Sequence, residues 1–190
     1  MNINVDIRNT EIHTERLLMR IWQMSDLEDL FAYASVPGVF ETAGRPYHKS
    51  IAQSEKLLES FIAAKNCFAL YHLADRKVIG SLELHSSWAS GDPRFAHLSV
   101  TELGTIISRD YWGQGIAMEA AVAAINHAFT VLNADAVTCC HFVENHQSRR
   151  VIEKCGFSFM QEDIYHSPHM DKDFLEKQYI LFKADFGTIQ

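Results

Sequence analysis

A strand, a glycine turn and a long helix follow one another without a break from Glu102 to Leu132, and this segment narrows the folds open to the chain. Glu102 to Ser108 alternates as a strand does, with neighbouring side chains on opposite faces. Tyr111-Trp112-Gly113-Gln114-Gly115-Ile116-Ala117 interrupts the alternation, and Gly113 to Leu132 reads as a helix. Ala117, Ala120, Ala121, Ala124 and Ala128 make that helix narrow, so it can lie close against a sheet. A helix that folds back on the strand preceding it belongs to a layered α/β or α+β domain.

The flanks continue the pattern. Leu17 to Ile21 reads as a strand, and Ser25-Asp26-Leu27-Glu28 as a capping box, with Leu27, Leu30, Phe31 and Ala34 at helical spacing behind it. Pro37-Gly38 ends that helix. A second capping box, Ser50 to Gln53, opens a helix to about Asn66 with Ile51, Leu58 and Ile62 on its inner face. Cys67 to Leu73 and Val78 to His85 flank the turn Asp75-Arg76-Lys77 as a hairpin, and Ser86 to Arg94 is a loop. Beyond the central helix, Ala136 to Val143 is a strand and Asn145 to Cys155 a short helix, with Gly156 at its left-handed C-cap. Phe157 to Ile164 and Gln178 to Lys183 complete the set as an antiparallel pair around a polar excursion. With no repeat or linker, residues 1–190 are expected to form one domain around a central sheet.

Composition excludes several function classes. Lys plus Arg number 17 against 24 Asp plus Glu, a net charge of −7 that disfavours a nucleic-acid binder. The first residues carry Asp6, Arg8, Glu11 and Glu15, which argues against a signal peptide. Ile116 to Leu132 contains Glu119, Asn126 and His127 and falls short of a membrane span. Cys67, Cys139, Cys140 and Cys155 include no C-x-x-C pair and read as reduced thiols of a cytoplasmic protein. The ten histidines show no metal-ligand spacing, so no metal is expected, and His166 and His169 read as solvated loop residues.

The glycine turn is where chemistry concentrates. Successive amides at a helix N-terminus form an anion site, helped by the helix dipole. The Gly-x-Gly by itself reads equally well as a tight strand-to-helix turn. A P-loop would need Gly-Lys-Ser/Thr, and a dinucleotide fingerprint a third glycine where Met118 stands. Neither is present.

The turn has company downstream: Asn145-His146-Gln147-Ser148, then Glu153-Lys154-Cys155-Gly156-Phe157. The ordered set Gly-x-Gly-x-Ala, Asn-x-x-Ser and Glu-Lys-x-Gly-Phe resembles the Gcn5-related N-acetyltransferase (GNAT) superfamily, and most closely the branch of ribosomal-protein N-terminal acetyltransferases. Thr14 to Arg20, with Asp26 following, is similar to how that branch begins, and Val78 to Leu82 and Glu102 to Ile106 resemble its central strands. The resemblance runs from about Thr14 to Lys183. It implies the GNAT acyl-CoA N-acyltransferase fold, a mixed and largely antiparallel sheet splayed in the middle and flanked by helices. It also implies an acetyl-CoA-dependent N-acetyltransferase acting on an amine, most simply a protein N-terminus, with no nucleic-acid or membrane partner; a homodimer is compatible with it. Backbone groups of Ile106 and Ile107 would pair with the pantetheine arm. The segment Trp112, Gly113, Gln114, Gly115, Ile116 and Ala117 would hold the pyrophosphate, and Asn145 and Ser148 would approach the pantetheine and thiol.

The sequence departs from the superfamily pattern twice. Trp112 stands where Gln or Arg is usual, and Ile152 where many members have a Tyr that protonates the departing thiolate. Ser148, a helical turn earlier, is the available substitute, or else a helix-surface hydroxyl without chemistry. Glu102 is the preferred general base, against its reading as a strand-end surface carboxylate; Glu83 and His97 are weaker candidates. Glu119 is explained by the helix dipole. Glu162, Asp163, Asp171, Asp173 and Glu176 would border the acceptor cleft, either attracting a cation or forming a solvated acidic face. Two further readings stay open: a small-amine acetyltransferase for polyamine or aminoglycoside-like acceptors, and a CoA-binding sensor or partner-binding module without catalysis.

Overall fold

The periodicities around the glycine turn are realised in the computed structural model, which describes residues 1–187. The strands are β1 (Ile12–His13), β2 (Leu17–Ile21), β3 (Cys67–His72), β4 (Lys77–His85), β5 (Val100–Ile107), β6 (Ala136–Phe142), β7 (Ser158–Ser167) and β8 (Lys172–Phe182). The helices are α1 (Leu27–Ala34), α2 (Ile51–Ala64), α3 (Ile116–Thr130), α4 (His146–Lys154) and a terminal turn α5 (Lys183–Phe186). One eight-stranded sheet runs in the order β1-β2-β3-β4-β5-β6-β8-β7. By its contacts the chain divides into two compact units, and both β4 and β5 pass from one to the other.

One unit comprises Asp6–Glu83 and Thr105–Ala120. Leu17 and Met19 alternate inward from β2, which pairs antiparallel with β3, and β3 turns into β4 as the expected hairpin. Its core joins Trp22, Leu30, Phe40, Leu58, Phe61 and Cys67, with the Trp22 and Phe61 rings 5.4 Å apart. Ser50 and Gln53 form the expected capping box of α2, whose buried stripe is Ser54, Leu58 and Phe61; Ile51, at the first helical position, is exposed instead. The first capping box is Gln23–Asp26 rather than Ser25–Glu28, because Asp26 is drawn inward by a bidentate ion pair with Arg20 at 2.8 Å.

The other unit comprises Met1–Val5, Leu84–Gly104 and the chain from Ala121 onward. Val100, Ala136, Ile180, Phe95 and Ala89 form a core under its strands. The loop after β4 winds into two short 3-10 turns, Trp88–Gly91 and Pro93–Phe95. β6 pairs antiparallel with β8, and β8 with β7. The last hairpin is longer than the sequence suggests: β7 extends to Ser167 and β8 begins at Lys172, so His166 lies on a strand rather than in a loop. Stacking of Phe142 on Phe174, at 4.3 Å between ring centroids, supports a stretch whose charged residues conceal its alternation.

The parallel register of β5 with β6, Val100–Glu102 with Ala136–Thr138, stops at Glu102 and Thr138. β5 continues to Gly104 within this unit and β6 to Phe142, so the two strands part there, at the position expected for the splay. No helix among the described residues is long and apolar enough to cross a membrane.

Candidate active site

The glycine turn leaves β5 through a short 3-10 turn, Arg109–Tyr111. Tyr111 is buried and its hydroxyl donates to Asp75; burial, reinforced by that carboxylate, pushes the phenol well above its ordinary range and keeps it a donor. Gly113 and Gly115 have φ of 75° and 80°, left-handed values that glycine adopts without a Cβ penalty. A Cβ on Gly113 would meet nothing within 4 Å, so the turn is open above this residue. The departure at Trp112 has a structural use. Its indole N–H donates to the Ile107 carbonyl at 2.8 Å, and Arg109 lies 5.4 Å over its ring. Trp112 therefore braces the turn against the end of β5. Ile107 and Ile116 are buried, Ile106 and Ala117 half-buried, and Gly113, Gln114 and Gly115 exposed.

Beneath the turn lies a cluster that the sequence reading missed. Glu119, one turn into α3, does not simply face the helix dipole. Thr14 Oγ1 donates to it at 2.5 Å, the Arg16 amide at 2.8 Å and Arg16 Nε at 2.7 Å. Arg16 Nη1 donates in addition to the Gln114 carbonyl at 2.8 Å. Burial raises the Glu119 carboxyl, but these donors outweigh it and hold the group below its ordinary range. The only sequence signal was the position of Thr14 and Arg16 in the amino-terminal motif.

In the other unit, Glu102 lies at the point where β5 and β6 part. It is 7% exposed, so it is not a surface carboxylate. Its Oε2 accepts from the Trp88 amide at 3.2 Å and from Thr138 Oγ1 at 2.9 Å; Cys140 Sγ lies 3.5 Å from Oε1. Burial, and then the nearby Glu102 carboxylate, push the Cys140 thiol up, so it stays protonated as a donor. Glu176, counted in the sequence with the exposed acids, is instead 8% exposed and accepts from Gln178 at 2.9 Å. Burial raises its carboxyl, and Glu102 and Asp163 add to the shift. His97 is exposed in the loop before β5.

At the start of α4, Asn145 caps the helix by accepting from the Ser148 amide at 3.0 Å. The Ser148 hydroxyl is half-buried and makes no hydrogen bond among the described residues, which leaves it able to donate. Ile152, in the place of the superfamily's usual Tyr, is 7% exposed and serves the core. The described thiols are all free, and no group of His, Cys, Asp and Glu that could hold a metal occurs among the described residues.

Comparison with known proteins shows the family. The model of the acetyltransferase (GNAT) domain family matches residues 16–158. An uncharacterised N-acetyltransferase of Bacillus subtilis, YoaA, is 24% identical over 151 residues, 77% of this chain and 81% of its own length. A GNAT-family acetyltransferase structure from Bacillus anthracis aligns with a TM-score of 0.79 at 20% identity, covering 92% of this chain and 99% of that one. A spermidine N-acetyltransferase from Vibrio cholerae, in complex with CoA and spermine, aligns at 0.71 with 19% identity over 91% of this chain and 99% of that one. The carbonyl-pinned glycine turn, the parting of β5 from β6 and the family match over most of the chain lead to one conclusion: this chain is a member of the GNAT acetyltransferase family, an N-acetyltransferase.

Proposed function

We propose that this enzyme transfers the acetyl group of acetyl-CoA to the N-terminal α-amine of a protein or peptide, by direct attack in a ternary complex in the cytoplasm. Amides of Gly113 to Ala117 hold the pyrophosphate, and backbone groups of Ile106 and Ile107 pair with the pantetheine. The neutral amine attacks the thioester carbonyl, forming the C–N bond as the carbonyl π pair moves onto oxygen. A backbone N–H near Ile106 or Ile107 stabilises that oxyanion, a preorganised donor worth about 3 kcal/mol. Glu102 accepts the amine's proton. Collapse of the intermediate breaks the C–S bond and the pair leaves on sulfur; Ser148 relays a proton to the thiolate while taking one from solvent, and Glu102 returns the amine's proton to solvent.

The observation that carries the choice of acceptor is the state of the acidic residues. Glu162 is paired with Lys177 at 3.4 Å, Asp173 with His166 at 2.8 Å, and Glu176 is buried. A polyamine needs free carboxylates for its several cations, and here Glu162 and Asp173 are engaged within the hairpin and Glu176 is buried, which leaves Asp163 and Asp171. Glu102 supports the same choice. Its Oε2 already accepts two hydrogen bonds, from the Trp88 amide and Thr138, so the amine's proton falls to Oε1. An α-amine, with a pKa near ~7.7 against ~10.4 for an alkyl amine, asks roughly 3.7 kcal/mol less of such a base. The spermidine N-acetyltransferase among the similar structures favours the polyamine as the second reading.

Release of the CoA thiol decides between them, measured with a free-α-amine peptide, the same peptide N-blocked but carrying a lysine, and spermidine. The free α-amine should show a kcat/KM about tenfold or more above the other two. Glu102→Gln should lower kcat about 100-fold while acetyl-CoA still raises the Tm. Preference for spermidine would overturn the peptide acceptor, and an unimpaired Glu102→Gln enzyme would remove Glu102 as the base.

A further inference from the structure

Arg16 stands immediately before β2, far in sequence from the glycine turn, yet its guanidinium reaches it. Nη1 donates to the Gln114 carbonyl at 2.8 Å, and Nη2 would lie 3.6 Å from a Cβ on Gly115. The same guanidinium grips Glu119, with Nε at 2.7 Å and Nη2 at 2.6 Å from Oε2. Glu119 is in turn held by Thr14 and by the Arg16 amide. Arg16 is therefore not a swinging surface cation but a fixed fork with both prongs occupied.

The peptide between Gln114 and Gly115 is planar and trans, so its N–H points opposite to its carbonyl. Because Gly115 has no Cβ to restrict its φ, this peptide has little of its own to stop it from flipping. A flip would turn a carbonyl oxygen, rather than an N–H, toward any anion in the turn. The next carbonyl, that of Gly115, is already committed to the Glu119 amide at 3.0 Å as the first turn of α3. Gln114 itself is tethered by its side-chain amide to the Asp110 carbonyl at 2.8 Å. What remains to be set is the Gln114 carbonyl, and Arg16 sets it.

We propose that Arg16, anchored by Glu119 and Thr14, is a positioning residue for the cofactor's pyrophosphate: it pins the Gln114 carbonyl so that the Gly115 amide faces the anion. This rests on the acetyl-CoA reading above. It differs from a role for Arg16 as a phosphate-attracting charge, and Glu119→Gln separates the two by sign. Removing the carboxylate leaves the Arg16 charge unneutralised, so charge attraction would tighten acetyl-CoA binding. Loss of the anchor loosens the fork and weakens it.

The experiment compares wild type, Arg16→Gln and Glu119→Gln with acetyl-CoA and with S-acetylpantetheine, which carries the thioester but no pyrophosphate. Both variants should raise the KM for acetyl-CoA by about tenfold, the size of one charge-assisted hydrogen bond, with kcat changed less than about twofold. The kcat/KM for S-acetylpantetheine should change by less than about twofold, which a general loss of fold or chemistry would not permit. Arg16→Lys, which reaches one partner but cannot fork to both, should fall between wild type and Arg16→Gln. Tighter acetyl-CoA binding by Glu119→Gln, or equal losses with both thioesters, would overturn the proposal. A wild-type protein that acetyl-CoA does not stabilise would overturn the acetyl-CoA reading itself, and this proposal with it.

Discussion

Glu176 shows how one buried side chain records the character of its surroundings. Asp163 lies opposite it on β7, Gln178 donates to it along β8, and Glu102 and the Cys140 thiol are its other titratable neighbours. Taking a carboxylate out of water favours the protonated form, and negative neighbours add to this. The folded protein thus holds a proton that the unfolded chain gives up at lower pH. Where the unfolded state binds fewer protons, stability falls as pH rises. The loss spans the interval from the ordinary glutamate range up to Glu176's raised one. Glu176→Gln keeps the shape and removes the titration. Its Tm should match wild type near about pH 4 and exceed it progressively toward about pH 7, by about 2–4 °C for each kcal/mol recovered. Thermal denaturation across that range checks this, and a difference independent of pH would refute it. In sequence Glu176 is one acid among several, because alternation along β8 is masked by Lys172, Asp173 and Lys177. Glu102 was legible because the strand leading into the glycine turn begins beside it; its burial and its donors were not, since Trp88, Thr138 and Cys140 come from distant segments.

At the level of elements, local signals and long-range contacts separate cleanly. The α2 capping box, the hairpin of β3 and β4 and the C-cap at Gly156 depend on neighbours in sequence, and they are found where the sequence puts them. The start of α1 shifts because Arg20 reaches Asp26, and the last hairpin lengthens because Phe142 of the neighbouring strand β6 stacks on Phe174 and packs against Tyr165. The glycine turn combines both kinds of information. Its glycines could be read directly, whereas the Thr14–Arg16–Glu119 cluster joins residues more than a hundred positions apart. Glycines also differ in why they are needed. Gly113 has a left-handed φ with open space around it, so Gly113→Ala should cost only backbone strain, about 1–2 kcal/mol, and raise the acetyl-CoA KM. Gly80 on β4 lies against the Ile106 carbonyl and the Ile107 side chain, and a Cβ there would collide with the backbone of β5. Gly80→Ala should therefore lower the Tm more than Gly113→Ala does. Denaturation of the two variants side by side tests the order, and the reverse order would mean that β4 and β5 yield easily at this crossing.

For the whole molecule the question is how a chain of net charge −7 attracts a polyanionic acetyl donor. Long-range attraction is unavailable, because the overall field is repulsive at neutral pH. The two arginines at the turn are both engaged: Arg16 is committed to Glu119, and Arg109 donates to the Pro37 carbonyl at 2.6 Å while covering Trp112. What the turn offers is amide dipoles, which act over a few ångströms and release few counterions. Salt then has two small effects of opposite sign: it screens the general repulsion and slightly weakens the local hydrogen bonds. An enzyme that drew acetyl-CoA with free Lys and Arg side chains would instead lose affinity steeply as the Debye length shrinks. The KM for acetyl-CoA should therefore stay level or fall between about 0.05 and 0.3 M sodium chloride, a range over which free ion pairs weaken markedly. The acceptor's KM, measured in the same series with a peptide of zero net charge, should move as little. A steep rise in the acetyl-CoA KM alone would show that side-chain charge, rather than the backbone of the glycine turn, supplies the binding.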